Sequence, residues 1–323
     1  MNVLFVVSNN KLRKLAEILV KEGHNVKGFL TSNVKNKNTI NSVISKQDTN
    51  VIVLGDTRDF PLVEKCKEKG ISIVGGDKWS KLVNSNGEYK DQLLGILDVD
   101  RTKVNTKFSI NGWWNGIQFI LPHRTYNYTH MMSGDLGIEM VSTGSIIKAT
   151  TRESKYYGLL SKFSLLLMQN SYRGPVRVDV NEDMQVCDLQ LGFKAFQLEA
   201  MFEVFRGSTM QVLLDCVNGS DKGGKLHDDY SIGVTFSVYP YPFNMYNEGG
   251  KIEGIEERAA KHIWWRDVSS DTVCGNDLGV CTAHGQTLRE CRRRVYRTLS
   301  NVRIKYIQYR NDIGEGVNGK FNF

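Results

Sequence analysis

The stretch Gly279-Val280-Cys281-Thr282-Ala283-His284-Gly285-Gln286-Thr287-Leu288-Arg289-Glu290 continues through Arg292-Arg293-Arg294-Val295-Tyr296 and closes on Tyr309-Arg310-Asn311-Asp312-Ile313-Gly314. It reads as a strand, a capped helix, a basic strand and a polar turn. Thr287, with Glu290 three residues later, has the form of a capping box, in which a hydroxyl and a carboxylate satisfy the first free amides of a helix. Leu288, Cys291, Val295 and Leu299 recur at helical spacing and make one apolar face. Arg289, Arg292, Arg293 and Arg297 hold the opposite face, a charge run of the kind that usually meets solvent.

Around this segment lies a chain of 323 residues, 41% hydrophobic, enough to bury a sizeable core in two or three packed units. Met1 to Val7 reads as a buried strand, being too short an apolar run for a signal peptide and lacking a basic leader. No stretch approaches the ~18 apolar residues that cross a bilayer. The cysteines, at 66, 187, 216, 274, 281 and 291, include no Cys-x-x-Cys pair, so reduced thiols in a cytoplasmic setting are expected. The net charge of +7 favours anionic partners, a condition that phosphorylated metabolites and nucleic acid both meet.

The first hundred residues alternate short apolar runs with helical patterns, the signature of a parallel sheet with crossover helices. Val3 to Val7, Val26 to Leu30, Val51 to Leu54 and Ile71 to Val74 are the expected strands. Leu12, Leu15, Ile18 and Leu19 mark a helix stopping near Gly23; Ile40, Val43 and Ile44 mark a second, and Leu62, Val63 and Cys66 a third. Ligands of such sheets bind beyond the carboxyl ends of the strands, where Gly55-Asp56-Thr57-Arg58-Asp59-Phe60-Pro61-Leu62 and Gly75-Gly76-Asp77-Lys78 stand. Ordinary βα turns explain these glycines equally well.

Further on, Phe108 to Ile110, Gly116 to Leu121 and Ile146 to Ile147 read as strands, Tyr157 to Met168 as an apolar helix, and Ala195 to Phe205 as another helix. Val176 to Val180 and Gln185 to Gln190 form a hairpin around Asn181-Glu182-Asp183, and a strand runs from Ser231 towards Pro242. No histidine pairs with a cysteine or carboxylate at metal-ligand spacing, and no Walker-type loop is present.

Taken in order, these motifs resemble the phosphoribosylamine–glycine ligase (glycinamide ribonucleotide synthetase) family of ATP-grasp enzymes; the likeness runs to Gly314 and is most specific in the last fifty residues. The resemblance implies an α/β fold: an N-terminal parallel α/β (pre-ATP-grasp) sheet over 1–97, a partial ATP-grasp core lacking the ATP-clamping lobe over 98–225, and a C-terminal mixed β/α domain over 226–323. The family activates a carboxylate as an acyl phosphate and lets an amine attack it. ATP and Mg²⁺ are therefore the implied cofactors if the chain is active, and none otherwise. The implied partners are a small phosphorylated metabolite and glycine or a related amino acid.

The same resemblance assigns candidate residues. Gly55 and Pro61 correspond to a Gly-Pro-Glu-x-Pro-Leu-like substrate loop, and His123 and Arg124 to a His-Lys-Arg element on phosphate. Gly134, Asp135 and Gly137, followed by Thr143-Gly144-Ser145, match a glycine-rich stretch that approaches glycine and the sugar phosphate. Arg310 and Asp312 fall in the Arg-x-Asp-Ile-Gly turn that orients the substrate cleft. Asp188 and Gln190, two residues apart on one strand, stand where Mg²⁺ ligands lie on a Glu-Phe-Asn strand.

This sequence also departs from the family. Ser8-Asn9-Asn10-Lys11 replaces a glycine-rich phosphate loop, and between Asp91 and Gly112 about twenty residues stand where the ligases insert a lobe with the nucleotide lid. The expectation is a divergent ligase with impaired or altered use of ATP. The alternatives are a non-catalytic sugar-phosphate-binding or assembly protein and, ranked last, a nucleic-acid binder using the arginine helix with Trp113-Trp114 or Trp264-Trp265.

Overall fold

The computed structural model describes residues 1–7, 10–30, 50–55, 66, 68–97, 99, 106–193, 198–243 and 250–317. In chain order the elements used below are β1 (Asn2–Val7), α1 (Arg13–Lys21), β2 (Asn25–Leu30), β3 (Val51–Leu54), β4 (Ser72–Gly75), α2 (Lys78–Ser85), α3 (Gly87–Ile96), β5 (Phe108–Trp114), β6 (Phe119–Met132) and β7 (Leu136–Ala149). They continue with α4 (Lys155–Ser161), α5 (Ser164–Gln169), β8 (Gly174–Val180), β9 (Val186–Leu191), α6 (Leu198–Val204), α7 (Thr209–Asn218), β10 (Tyr230–Val238), β11 (Ile263–Trp265), β12 (Gly279–Gly285), α8 (Leu288–Asn301) and β13 (Ile307–Tyr309). Two compact units interleave along the chain. One is Met1–His123, Thr150–Phe196 and Arg206–Lys225; the other is Arg124–Ala149, Gln197–Phe205 and Leu226–Phe323.

The first unit holds the parallel sheet, in the order β2-β1-β3-β4. Val3 to Val6 and Val51 to Leu54 are all buried, which is why these strands read as unbroken apolar runs and not as alternating ones. Leu12, Leu15 and Leu19 are likewise buried along α1. The helices expected around Ile40 and Leu62 lie outside the described residues. The antiparallel part of this unit pairs β5 with β8 and β8 with β9, in the register Asp179↔Asp188 and Arg177↔Gln190. The open edge of β9 is met by the Asn84 side chain, which donates to the Leu191 carbonyl at 2.7 Å and accepts from its N–H at 2.9 Å, as a neighbouring strand would. Trp113 and Trp114 are core residues, fully buried, and neither ring is available to stack on a base.

The second unit is built on β10. It pairs with β7 and β12 on its two sides, with β11 beyond β12 and β13 also bonded to β10. Helix α8 packs on this sheet, and its Leu288, Cys291, Val295 and Leu299 join Ile232, Val234, Phe236 and Cys281 in one core. Burial of each leucine contributes about 1.5–3 kcal/mol. Thr287 caps the helix as expected, its hydroxyl accepting the Glu290 N–H at 3.2 Å. The return arm of the box differs: the Glu290 carboxylate accepts the N–H of Gln286 and pairs with Arg294. Arg289, Arg293 and Arg297 face solvent, whereas Arg292 reaches Glu315 at 3.4 Å.

Several element lengths differ from the sequence reading. The strands around 116–121 and 146–147 are the ends of two long ones, β6 and β7, whose polar residues Thr125, Asn127, Thr143 and Ser145 are buried and break the apolar alternation. The single helix expected from Tyr157 to Met168 is two, because the N–H groups of Lys162 and Phe163 bond three residues back, to Leu159 and Leu160, and close the first. None of the six cysteines is joined in a disulfide, and no described helix is long and apolar enough to cross a membrane.

Ser208 is the N-cap of α7, its hydroxyl accepting the Gln211 N–H, and Glu22, just past α1, adds a carboxylate to that cap. Its carboxylate accepts the N–H of Thr209 at 2.7 Å and of Met210 at 2.9 Å, and the Ser208 hydroxyl at 3.1 Å. Burial works against its ionisation, but these donors outweigh that and hold its pKa below the usual glutamate value. Replacing Glu22 with alanine is expected to cost roughly 1–3 kcal/mol in chemical denaturation. The difference should shrink as the pH falls through the carboxylate range, since the stabilisation belongs to the ionised form.

Candidate functional site

In the second unit, β6 and β7 meet in a tight hairpin whose tip is Ser133-Gly134-Asp135. Gly134 and Asp135 both adopt positive φ, 70° and 58°, and Gly137 follows at 79°. The turn Arg310-Asn311-Asp312 lies against this tip. Arg310, 2% exposed, donates through Nε and Nη2 to the two oxygens of Asp312 at 2.8 and 2.6 Å. Its Nη1 donates to Asp135 at 3.0 Å and to the His130 carbonyl at 2.9 Å. Asp312 completes the loop by accepting the Gly134 N–H at 2.8 Å. The structure thus brings Gly134 and Asp135 onto Arg310 and Asp312, two short segments far apart in the sequence, while Gly137 follows on β7 and packs against Met131 and Met132.

The surroundings lock this arrangement. The Gly314 N–H donates to the Tyr128 hydroxyl at 2.9 Å and the Ile313 N–H to the Tyr296 hydroxyl at 3.0 Å. Gly144 makes room for Ile313: a Cβ there would lie 2.8 Å from the Ile313 Cδ1 and 2.9 Å from the Gly233 carbonyl oxygen. Burial raises the pKa of Asp312, but the Arg310 guanidinium and the Gly134 N–H more than reverse it and hold the carboxyl down at about 2.

Asp188 and Gln190 lie in the first unit, on one face of the β8–β9 ladder beside their cross-strand neighbours Asp179 and Arg177. The Lys90 ammonium, from α3, bonds one oxygen of Asp188, and the Gln190 amide donates to the other at 2.9 Å. Arg177 donates to Asp179 at 2.6 Å. Burial raises the Asp179 pKa, Arg177 opposes this, and Asp188 adds to it. The two carboxylates therefore face two cations, for a formal charge of zero. This donor set does not fit Mg²⁺. Both Asp188 oxygens are engaged, the Gln190 amide turns a donor towards them, and a divalent ion would stand beside an ammonium and a guanidinium. Two unit charges at 4 Å already interact by ~4 kcal/mol near a protein surface. Among the described residues no group of three His, Cys, Asp or Glu side chains is placed to hold a metal ion.

Of the other candidates, Gly55 follows β3 in the first unit, its N–H bonded to the Val6 carbonyl at 3.0 Å. Pro61 lies outside the described residues. His123 is buried, with Nδ1 2.8 Å from the Leu121 carbonyl oxygen. Burial lowers its pKa to about 4, so at neutral pH the ring is uncharged and Nδ1–H donates to that carbonyl. Arg124, the next residue along β6, is half-buried.

Spacing alone missed the histidine–carboxylate pairs of the second unit. Glu203 on α6 lies 2.8 Å from the His262 Nδ1 and accepts the Thr282 hydroxyl at 2.6 Å. Asp229 stands 2.9 Å from the His284 Nδ1 and 3.2 Å from the His227 Nδ1. Only the local run His227-Asp228-Asp229 could have signalled this; the rest is assembled by folding.

No family model matches the sequence, and no curated protein matches it. Solved structures do match. Phosphoribosylamine–glycine ligase from Thermotoga maritima aligns over 97% of this chain and 100% of its own, with a TM-score of 0.70 and 15% identity. N5-carboxyaminoimidazole ribonucleotide synthetase from the same organism aligns over 94% and 99%, with a TM-score of 0.61 and 8% identity. Biotin carboxylase from Campylobacter jejuni, in a β-γ-ATP complex, aligns over 96% and 94%, with a TM-score of 0.63 and 9% identity. The chain has the ATP-grasp fold, as the resemblance of its motifs implied.

Removing one partner of a buried ion pair leaves the other charge uncompensated. Arg310→Met is therefore expected to lose about 3–5 kcal/mol in chemical denaturation. Asp312 should contribute its full stabilisation above its ordinary pKa of 3.8 and lose it as the pH falls towards 2. Asp312→Asn should flatten that limb of the stability profile.

Proposed function

We propose that this chain is a divergent, shortened relative of phosphoribosylamine–glycine ligase that binds a small phosphorylated metabolite and whose use of ATP is impaired or altered. The observation that carries this reading is a connection: α3 ends at Ile96 and β5 begins at Phe108, so residues 97–107 are all that stands where a nucleotide-gripping lobe would be inserted. An acyl phosphate survives only where water is excluded, and a lid is the usual means of excluding it. The pI near 9.0 supports an anionic ligand. In this reading the hairpin tip Gly134, Asp135 and Gly137 faces the ligand, and Arg310 and Asp312 hold the tip in place. Arg124, in the same unit, serves the phosphate.

A second reading is an active carboxylate–amine ligase, joining glycine or a related amino acid to an amine-bearing phosphoribosyl or nucleotide acceptor with ATP and Mg²⁺. The end-to-end likeness to the Thermotoga maritima ligase favours it. Calorimetry with ribose 5-phosphate, glycine and MgATP, joined to an assay of ADP release, separates the two. Binding of the sugar phosphate without nucleotide, and no ADP on addition of glycine and an amine, is the expected result. Saturable MgATP binding with amine-dependent ADP release would replace the first reading by the second.

A further inference from the structure

We infer that Lys90 is a built-in cation of the β8–β9 face, and that it closes this face to divalent metal ions. The residue is 4% exposed, and a buried ammonium persists only where a counter-charge meets it. Asp188 is that counter-charge, and Gln190 takes the remaining oxygen. Arg177 does the same for Asp179, which stands directly across the ladder from Asp188, with both side chains 9% exposed. Each carboxylate thus has its own organic cation, delivered by a neighbouring helix or by the same strand. A metal could enter only by expelling Lys90 from a pocket in which its charge has no other described carboxylate within bonding reach. The inference stands on this ion-pair geometry and is independent of which small molecule the protein binds.

Mn²⁺ titration of the full chain, followed by water-proton relaxation, tests it, with circular dichroism to confirm folding of each variant. Wild-type protein is expected to show no saturable Mn²⁺ site and no change of unfolding temperature with Mg²⁺. Lys90→Met, which keeps the length and removes the charge, should gain a saturable Mn²⁺ site, at least about tenfold tighter than any residual binding by the wild type. Adding Asp188→Asn should abolish that gain, and Lys90→Arg should remain closed to metal. Saturable Mn²⁺ binding by the wild type that Asp188→Asn removes would overturn the inference, as would a folded Lys90→Met that takes up no metal. Should Lys90→Met fail to fold, Lys90→Gln, which also removes the charge, takes its place in the same titration with the same expected and overturning results.

Discussion

A guanidinium cannot shed its proton inside a protein, so wherever one is buried the chain must bring acceptors to it. Arg310 imposes that demand on the second unit. Its own turn supplies Asp312, and the β6–β7 hairpin supplies Asp135 and the His130 carbonyl. The reverse turn at Gly134 frees an N–H that in turn bonds Asp312, so the tip and the C-terminal turn form one closed hydrogen-bonded ring. The two residues that follow are held beside it: Ile313 lies in the core beside Gly144, and the hydroxyls of Tyr296 and Tyr128 accept the N–H groups of Ile313 and Gly314. The polar motif near the end of the chain is thus explained by what it costs to bury a charge, before any ligand is considered.

The same rule governs the first unit, with a different consequence. Of the residue types that invite a divalent cation, Asp188 is taken up by Lys90 and by the amide of Gln190. The free amides that open helix α7, which would invite an anion, are taken by Glu22 and by the Ser208 hydroxyl. Beyond the other end of α7, the carboxylate of Asp215 takes the N–H groups of Lys222 and Gly223, at 2.7 and 2.6 Å. Features that a sequence motif marks as ligand-seeking are here satisfied by the chain itself.

How much of this the sequence disclosed depends on the range of the interaction. The apolar runs of β1 and β3, the face of α8 and its Thr287 cap are local patterns, and they were legible. Long strands rich in Thr, Asn and His were not, because buried polar side chains that bond neighbouring backbone, as Thr143 does to the carbonyls of Tyr128 and His130, erase the alternation that marks a strand. Arg310 and Asp135 could each be singled out by resemblance, but their contact could not, since it joins positions 175 residues apart in the chain. Lys90 gave no signal at all. In sequence it is an ordinary basic residue on a short helix, and only folding sets it on Asp188.

Self-neutralisation of these clusters does not remove the attraction for anions, because the two have different physical origins. Coordination needs unsatisfied donors at fixed positions, and the β8–β9 face has spent its own. Long-range attraction needs only unbalanced charge, and the chain keeps a net +7, part of it on the exposed Arg289, Arg293 and Arg297 of α8. A scaffold can therefore close one face to metal ions, as inferred for Lys90, and still carry net positive charge that attracts anions. Its two capacities would also respond differently to salt: attraction by exposed arginines falls as the Debye length shortens, whereas a buried pair such as Lys90 and Asp188 is screened far less.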